Sequence, residues 1–116
     1  METEMLIKKC FLAWQERDWD YVENALADGF TFTSPYDDHL DKHEYKQKCW
    51  DSVKEIEAFD FVTIMEKGEE AFVRYTGRIN GMSVQNTEHF IFEGRKIKEI
   101  IVFFGRPDDS SQSNEK

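Results

Sequence analysis

Apolar positions recur at helical spacing early in the chain and at alternating spacing later, and the change of period divides it in two. Leu6, Ile7, Cys10, Phe11, Ala13 and Trp14 form an i, i+3, i+4, i+7 stripe that predicts a helix over residues 3–16. Lys8, Lys9, Glu16 and Arg17 lie mostly off it. Asp18 is placed to cap a second, short helix running to Leu26, with Trp19, Val22 and Leu26 inward. Gly29 is expected to end that helix or to turn the chain after it.

Phe30 to Pro35 alternates and reads as a strand, with Phe30, Phe32, Ser34 and Tyr36 on one face. Pro35 lacks an amide donor, so pairing should weaken there. Residues 36–40 read as an acidic loop. Asp41 and Glu44 have the spacing of a capping box, flanked by Leu40 and Tyr45 as a hydrophobic staple. The helix they open is expected to reach about Glu57, with Tyr45, Cys49, Val53 and Ile56 on one face and Trp50 beside them.

Four strands follow by pattern, over about 59–65, 71–76, 83–92 and 97–104. Turn signals separate them at Lys67-Gly68-Glu69, Asn80-Gly81 and Glu93-Gly94-Arg95. Helix, helix, strand, helix and four strands predict an α+β fold: a curved antiparallel sheet wrapped around three N-terminal helices as a cone with an open mouth. A single domain is expected over 1–105, with a polar, disordered tail over 106–116.

The strand around residue 88 carries the strongest chemical signal. Val84, Asn86, Glu88, Phe90 and Phe92 share one face, and three of the five are apolar. That face points to the core, so Glu88 and Asn86 should sit inside. A buried carboxylate is uncommon unless it is paired or functional. Its burial should raise its pKa, suiting it to acid or base work. The competing reading is a structural Glu88 paired with Arg74.

Composition narrows the classes. Ten Phe, three Trp and four Tyr in 116 residues supply a real core. A net charge of −9 opposes binding to nucleic acid phosphates or anionic membranes. Cys10 and Cys49 read as free, core-facing thiols, and too few Cys and His stand at ligand spacing for a structural metal. No stretch has transmembrane length and no signal-peptide core opens the chain, so a cytoplasmic protein without cofactor or metal is expected.

Asp37, Asp38 and His39 cluster at a strand end, where an imidazole beside a carboxylate can move protons near neutral pH. Glu88, His39 and Asp38 are therefore the catalytic candidates. Trp14, Phe32, Ser34, Tyr36, Cys49, Trp50, Arg74 and Asn86 are the candidate pocket lining. The opposite face of the Glu88 strand carries Thr87, His89 and Ile91, a mixed surface that predicts a homodimer packed through the outside of the sheet.

An ordered set of short motifs adds a resemblance. Phe32-Thr33-Ser34-Pro35, Asp37-Asp38-His39, Cys49-Trp50, Asn86-Thr87-Glu88, Lys96-Ile97 and Phe103-Phe104-Gly105 span about residues 5–105. In this order the chain resembles the cone-shaped superfamily of nuclear transport factor, ketosteroid isomerase, limonene epoxide hydrolase and the SnoaL-like polyketide cyclases. The SnoaL-like branch is the nearest in pattern.

Against ketosteroid isomerase, Glu88-His89-Phe90 matches the Asp-His-Phe that carries the oxyanion-hole acid. Ser34 stands before Pro35 where that family has its base, and Cys10 stands where it has its oxyanion Tyr. The resemblance thus implies one retained acid with the base and Tyr replaced. Arg74 or Arg78 with Glu88 imitates only part of the epoxide hydrolase arrangement. It implies three kinds of function: binding a small, mostly apolar molecule; acid-base isomerase, cyclase or hydrolase chemistry in the same pocket; or a non-catalytic dimerisation or partner-binding role.

Overall fold

The computed structural model describes residues 2–105. The polar tail expected after Gly105 lies outside them. Helix α1 spans Glu2–Gln15 and buries Ile7, Cys10, Phe11 and Ala13, the faces its periodicity indicated. Helix α2 spans Trp19–Ala25, and Asp18 caps it by accepting from the Tyr21 amide at 3.1 Å. Among the described residues, no helix is long and apolar enough to cross a membrane.

Strand β1 spans Leu26–Ser34 and begins where α2 stops, so Gly29 lies within a strand and not at a helix end. The acidic stretch is also not a loop. Asp37–Leu40 forms β2, antiparallel to β1, with Phe32 opposite Leu40 and Ser34 opposite Asp37. The capping box closes in both directions: the Glu44 amide donates to Asp41 at 2.9 Å and the Asp41 amide donates to Glu44 at 3.0 Å. It opens α3, Lys42–Tyr45, which passes directly into a π-helical turn over Lys46–Trp50.

The helix therefore stops at Trp50, well before Glu57. The Asp51 amide reaches back to the Lys46 carbonyl at 2.9 Å, an i→i+5 bond that widens the turn. The Arg17 guanidinium donates to the Trp50 carbonyl at 2.8 Å and lies 4.0 Å over the Trp50 ring, so a charged side chain closes this helix end.

The remaining strands are β3, Ile56–Lys67, β4, Glu70–Ile79, β5, Met82–Glu93, and β6, Lys96–Phe104. The sheet order is β2-β1-β6-β5-β4-β3. All pairs are antiparallel except β1 with β6, which run parallel, so the sheet is mixed and not wholly antiparallel. The long excursion through α3 and the β3–β5 meander allows this, because parallel neighbours need a long connection. Asn80 and Gly81 both take positive φ, 53° and 79°, as the tight turn between β4 and β5 requires.

The core is a continuous cluster in which Ile7, Cys10, Phe11 and Val22 of the helices meet Phe30, Phe32, Val73, Tyr75, Phe90, Ile100 and Val102 of the sheet. Helices cover one face of a curved sheet. The other face carries the exposed Phe72, Met65 and Phe103.

Candidate functional site

The helix-covered face does not close completely. A cavity of about 300 Å³ remains between α1, the α3–π segment and the inner face of the sheet. Phe11, Trp14, Phe59, Tyr45, Phe90 and Val102 form its apolar walls. Ser34, Asp37, Lys48 and Ser52 give it a polar rim. Val53 and Ile56 line it beside Tyr45 and Cys49, but only Tyr45 and Cys49 are helical, so the single helical face expected of the four does not form.

Glu88 stands inside this cavity. In β5 it alternates inward with Asn86 and Phe90, opposite Val73 of β4 and Val102 of β6. Its Oε2 accepts from Tyr75 Oη at 2.6 Å, and Tyr75 Oη accepts from Asn86 Nδ2 at 3.1 Å. Asn86 thus orients Tyr75, and Tyr75 orients Glu88. Oε1 makes no hydrogen bond among the described residues, yet it is not sealed away: the surface it retains opens on the cavity.

Burial pushes the Glu88 carboxyl from 4.5 up to about 7, and the Tyr75 hydrogen bond works against that rise. The groups around it are held neutral. Burial, then the charge of Glu88, pushes the Cys10 thiol up to about 12. Burial, then Asp37 and Glu88, do the same to Cys49. Burial and Glu88 also raise the Tyr45 and Tyr75 phenols well above their ordinary range. These groups are weak nucleophiles at neutral pH, whereas Glu88, raised to about 7, is the group whose shift brings it toward neutrality.

Of the residues singled out from sequence, Glu88, Asn86, Trp14, Phe32, Ser34 and Cys49 come together on the cavity. Asp38, His39, Tyr36, Trp50 and Arg74 do not line it. His39 takes a positive φ of 53°, which turns it out of the strand alternation to pair with Asp38 at 2.6 Å on the surface. Of the acidic cluster, Asp37 is the member that reaches the cavity, where Ser34 Oγ donates to it at 2.9 Å. Tyr36 is 84% exposed beside Phe104.

Trp50 packs against Trp14, Trp19 and Arg17 behind the wall. Arg74 alternates with Val73 and Tyr75 and so lies on the outer face of the sheet, next to Gln85, Thr87 and Phe103. It is not the partner of Glu88. Among the described residues, no three His, Cys, Asp or Glu side chains converge as metal ligands do.

The sequence reading missed Tyr75. The signal was present: counting outward from the two-residue Asn80-Gly81 turn sets Tyr75 opposite Asn86 and Val73 opposite Glu88. A phenol one diagonal step from a buried carboxylate is within hydrogen-bonding reach.

An α+β cone whose inner sheet face opens on a cavity is the ketosteroid isomerase-like or nuclear transport factor-like fold. Residues 7–100 match the SnoaL-like domain family, and the chain belongs to it. Several solved structures share the fold. An NTF2-like protein of unknown function from Burkholderia xenovorans has a TM-score of 0.80 at 14% identity, covering 97% of this chain and 91% of that one. Another, from Cytophaga hutchinsonii, has 0.72 at 21% identity, covering 89% of each. An LEH-like epoxide hydrolase of M. tuberculosis has 0.71 at 18% identity, covering 90% of this chain and 83% of that one. At these identities the likeness is one of fold. No curated protein matches the sequence.

Proposed function

We propose that this SnoaL-like domain binds a small, mostly apolar molecule in the cavity and exchanges a proton with its polar group through Glu88, in chemistry of isomerase, cyclase or hydrolase type. The observation that carries this reading is the division of labour between the two carboxyl oxygens. Oε2 is committed to Tyr75, while Oε1 opens on the cavity. With Tyr75 donating to Oε2, the proton of the neutral acid belongs on Oε1, where it can be given to an oxygen of the bound molecule. The ionised form presents a lone pair at the same place and can take a proton back. A group that titrates near 7 can do both without a large energetic penalty in either direction. The reading calls for no cofactor.

Native mass spectrometry of the protein purified from its own host tests it. A small molecule should be retained by the wild type, be released on unfolding, and be held at lower occupancy by Glu88→Gln. Full occupancy in that variant would remove Glu88 from the site.

A second reading, a non-catalytic dimerisation or partner-binding domain, is favoured by a separate observation. Met65, Phe72, His89 and Ile101 sit side by side across β3, β4, β5 and β6 on the outer face. Met65 is 64% and Phe72 45% exposed, and with half-buried His89 and Ile101 they make a mixed, largely apolar row of the kind that marks an interface. The second reading excludes the chemistry of the first but its dimerisation does not, and we take the outer face as the surface of a homodimer whose cavities stay open. A cytoplasmic setting suits the two free thiols.

A further inference from the structure

We propose that the cavity selects small hydrophobic amines in their ammonium form, with Glu88 Oε1 as the counter-charge. This rests on the binding reading above and narrows its ligand class. The groups that face Glu88 are Cys10 from α1, Tyr45 from α3, Cys49 from the π turn, Tyr75 and Asn86 from the neighbouring strand positions, and Val102 from β6. None of them is cationic. Among the described residues, no Lys, Arg or His forms an ion pair with Glu88, and the cation of the lining, Lys48, stands exposed at the rim. Ionised Glu88 therefore faces an apolar chamber without a compensating charge, and a ligand that brings one removes the penalty.

The walls suit the same ligand. Phe11 meets Phe59 and Tyr75 edge to face at 4.9 and 4.8 Å, and these rings border the space in front of the carboxyl. Aromatic surfaces attract cations, most strongly where water is excluded. At the rim Asp37 and Lys48 offset one another, and the net charge of −9 favours a cation approaching the mouth and disfavours an anion. A neutral alcohol of the same shape gains the apolar contacts and one hydrogen bond but no ion pair.

Protonation then becomes part of recognition. The thiols of Cys10 and Cys49 are pushed up to about 12 and the two phenols are raised, so of the groups facing Glu88 it is the carboxyl that changes charge near neutrality. Binding an ammonium draws Glu88 into its ionised form and releases a proton from it.

The test is calorimetric titration of the full chain with cyclohexylamine and, as a neutral isostere, cyclohexanol. The amine should bind about tenfold more tightly at about pH 8 than at about pH 6, following the ionised fraction of Glu88, while the alcohol gains nothing. Near pH 7, heats in buffers of different ionisation enthalpy should report about half a proton released per amine bound. Glu88→Gln should abolish the preference for amine over alcohol and its pH dependence, while still binding the alcohol. An amine that binds no better than the alcohol at about pH 8, or a preference that survives in Glu88→Gln, overturns the proposal and leaves the cavity reading standing. Binding of neither probe overturns both. If Glu88→Gln does not fold, the wild-type pH comparison decides, and a flat amine affinity overturns the proposal.

Discussion

Tyr75 Oη donates a 2.6 Å hydrogen bond to Glu88 Oε2 across the β4–β5 ladder, and Asn86 Nδ2 holds the same phenol at 3.1 Å. The bond leaves one carboxyl oxygen for the cavity. It also tunes the acid, because a donor to the carboxylate favours its ionised form. Tyr75→Phe should therefore push the Glu88 pKa above about 7. A carbon-detected NMR titration of labelled glutamate reads this directly. A fall, or no change, would mean that the phenol does not act on the carboxyl.

Stability should carry the signature of Glu88. Its folded pKa, about 7, lies above the ordinary 4.5. Below 4.5 both folded and unfolded chains hold the proton, and the group costs nothing. As pH rises, the unfolded chain releases it first, so the folded state loses ground until the pH passes about 7. The loss should total roughly 3 kcal/mol and level off above that. Because other groups titrate as well, the quantity to measure is wild-type stability minus that of Glu88→Gln by urea denaturation across this range. A flat difference would contradict the buried-acid assignment.

Glu88→Gln itself should keep the fold. Arg74 is on the opposite face of the sheet, so the substitution breaks no ion pair. It keeps the shape and a group able to bond Tyr75. At about pH 4, where the wild-type acid is also neutral, the change should be no more than about 1–2 kcal/mol, and near pH 7 the variant should be no less stable than the wild type, against a loss of roughly 3–5 kcal/mol for breaking a buried pair. Thermal melting at fixed pH separates the two.

The thiols should be slow to react. Cys10 and Cys49 are pushed up to about 12, and only the thiolate attacks alkylating agents. Iodoacetamide at about pH 8 should label both rapidly in urea and neither appreciably in the native protein, as followed by intact mass. Rapid native labelling of Cys49 would show that the π turn opens.

Phe72 tests the outer face. Its ring stacks on His89 at 4.1 Å, and His89 is held in turn by Glu70 at 2.8 Å. A charge at Phe72 would be desolvated in a dimer and harmless in a monomer. Phe72→Glu should yield monomer in sedimentation velocity with an unchanged circular dichroism spectrum. A wild type that is monomeric at micromolar concentration would dispose of the dimer.

Part of the candidate site is legible in the sequence. The alternation Asn86, Glu88, Phe90 put the carboxyl inside, and the Asn80-Gly81 turn set β4 against β5 without a slip from Ile79 opposite Met82 to Glu70 opposite Ile91. Asn80 also does something no turn signal announces. Its Oδ1 accepts from the Lys54 and Glu55 amides at 2.7 and 3.1 Å, and so clamps the segment that follows the π turn.

What the sequence determined by itself is therefore whatever depends on neighbours along the chain: the helix caps, the hairpin turns, the inward faces of the Phe30 and Glu88 strands, and the presence of an acid on the latter. These follow from backbone sterics and side-chain period, which act over a few residues. Tertiary structure decided the rest. The β5–β6 register shifts between Ile91 and Phe92, so counting back from Gly94 would set Glu88 beside Ile101 instead of Val102. The π turn sends Cys49 to the cavity and Trp50 behind it, and the left-handed His39 leaves Asp37 inside with Asp38 outside. The parallel β1–β6 pair joins strands separated by most of the chain. In each case a bulge, a widened turn or a long-range pairing breaks the local period, and such breaks are set by packing against elements distant in sequence.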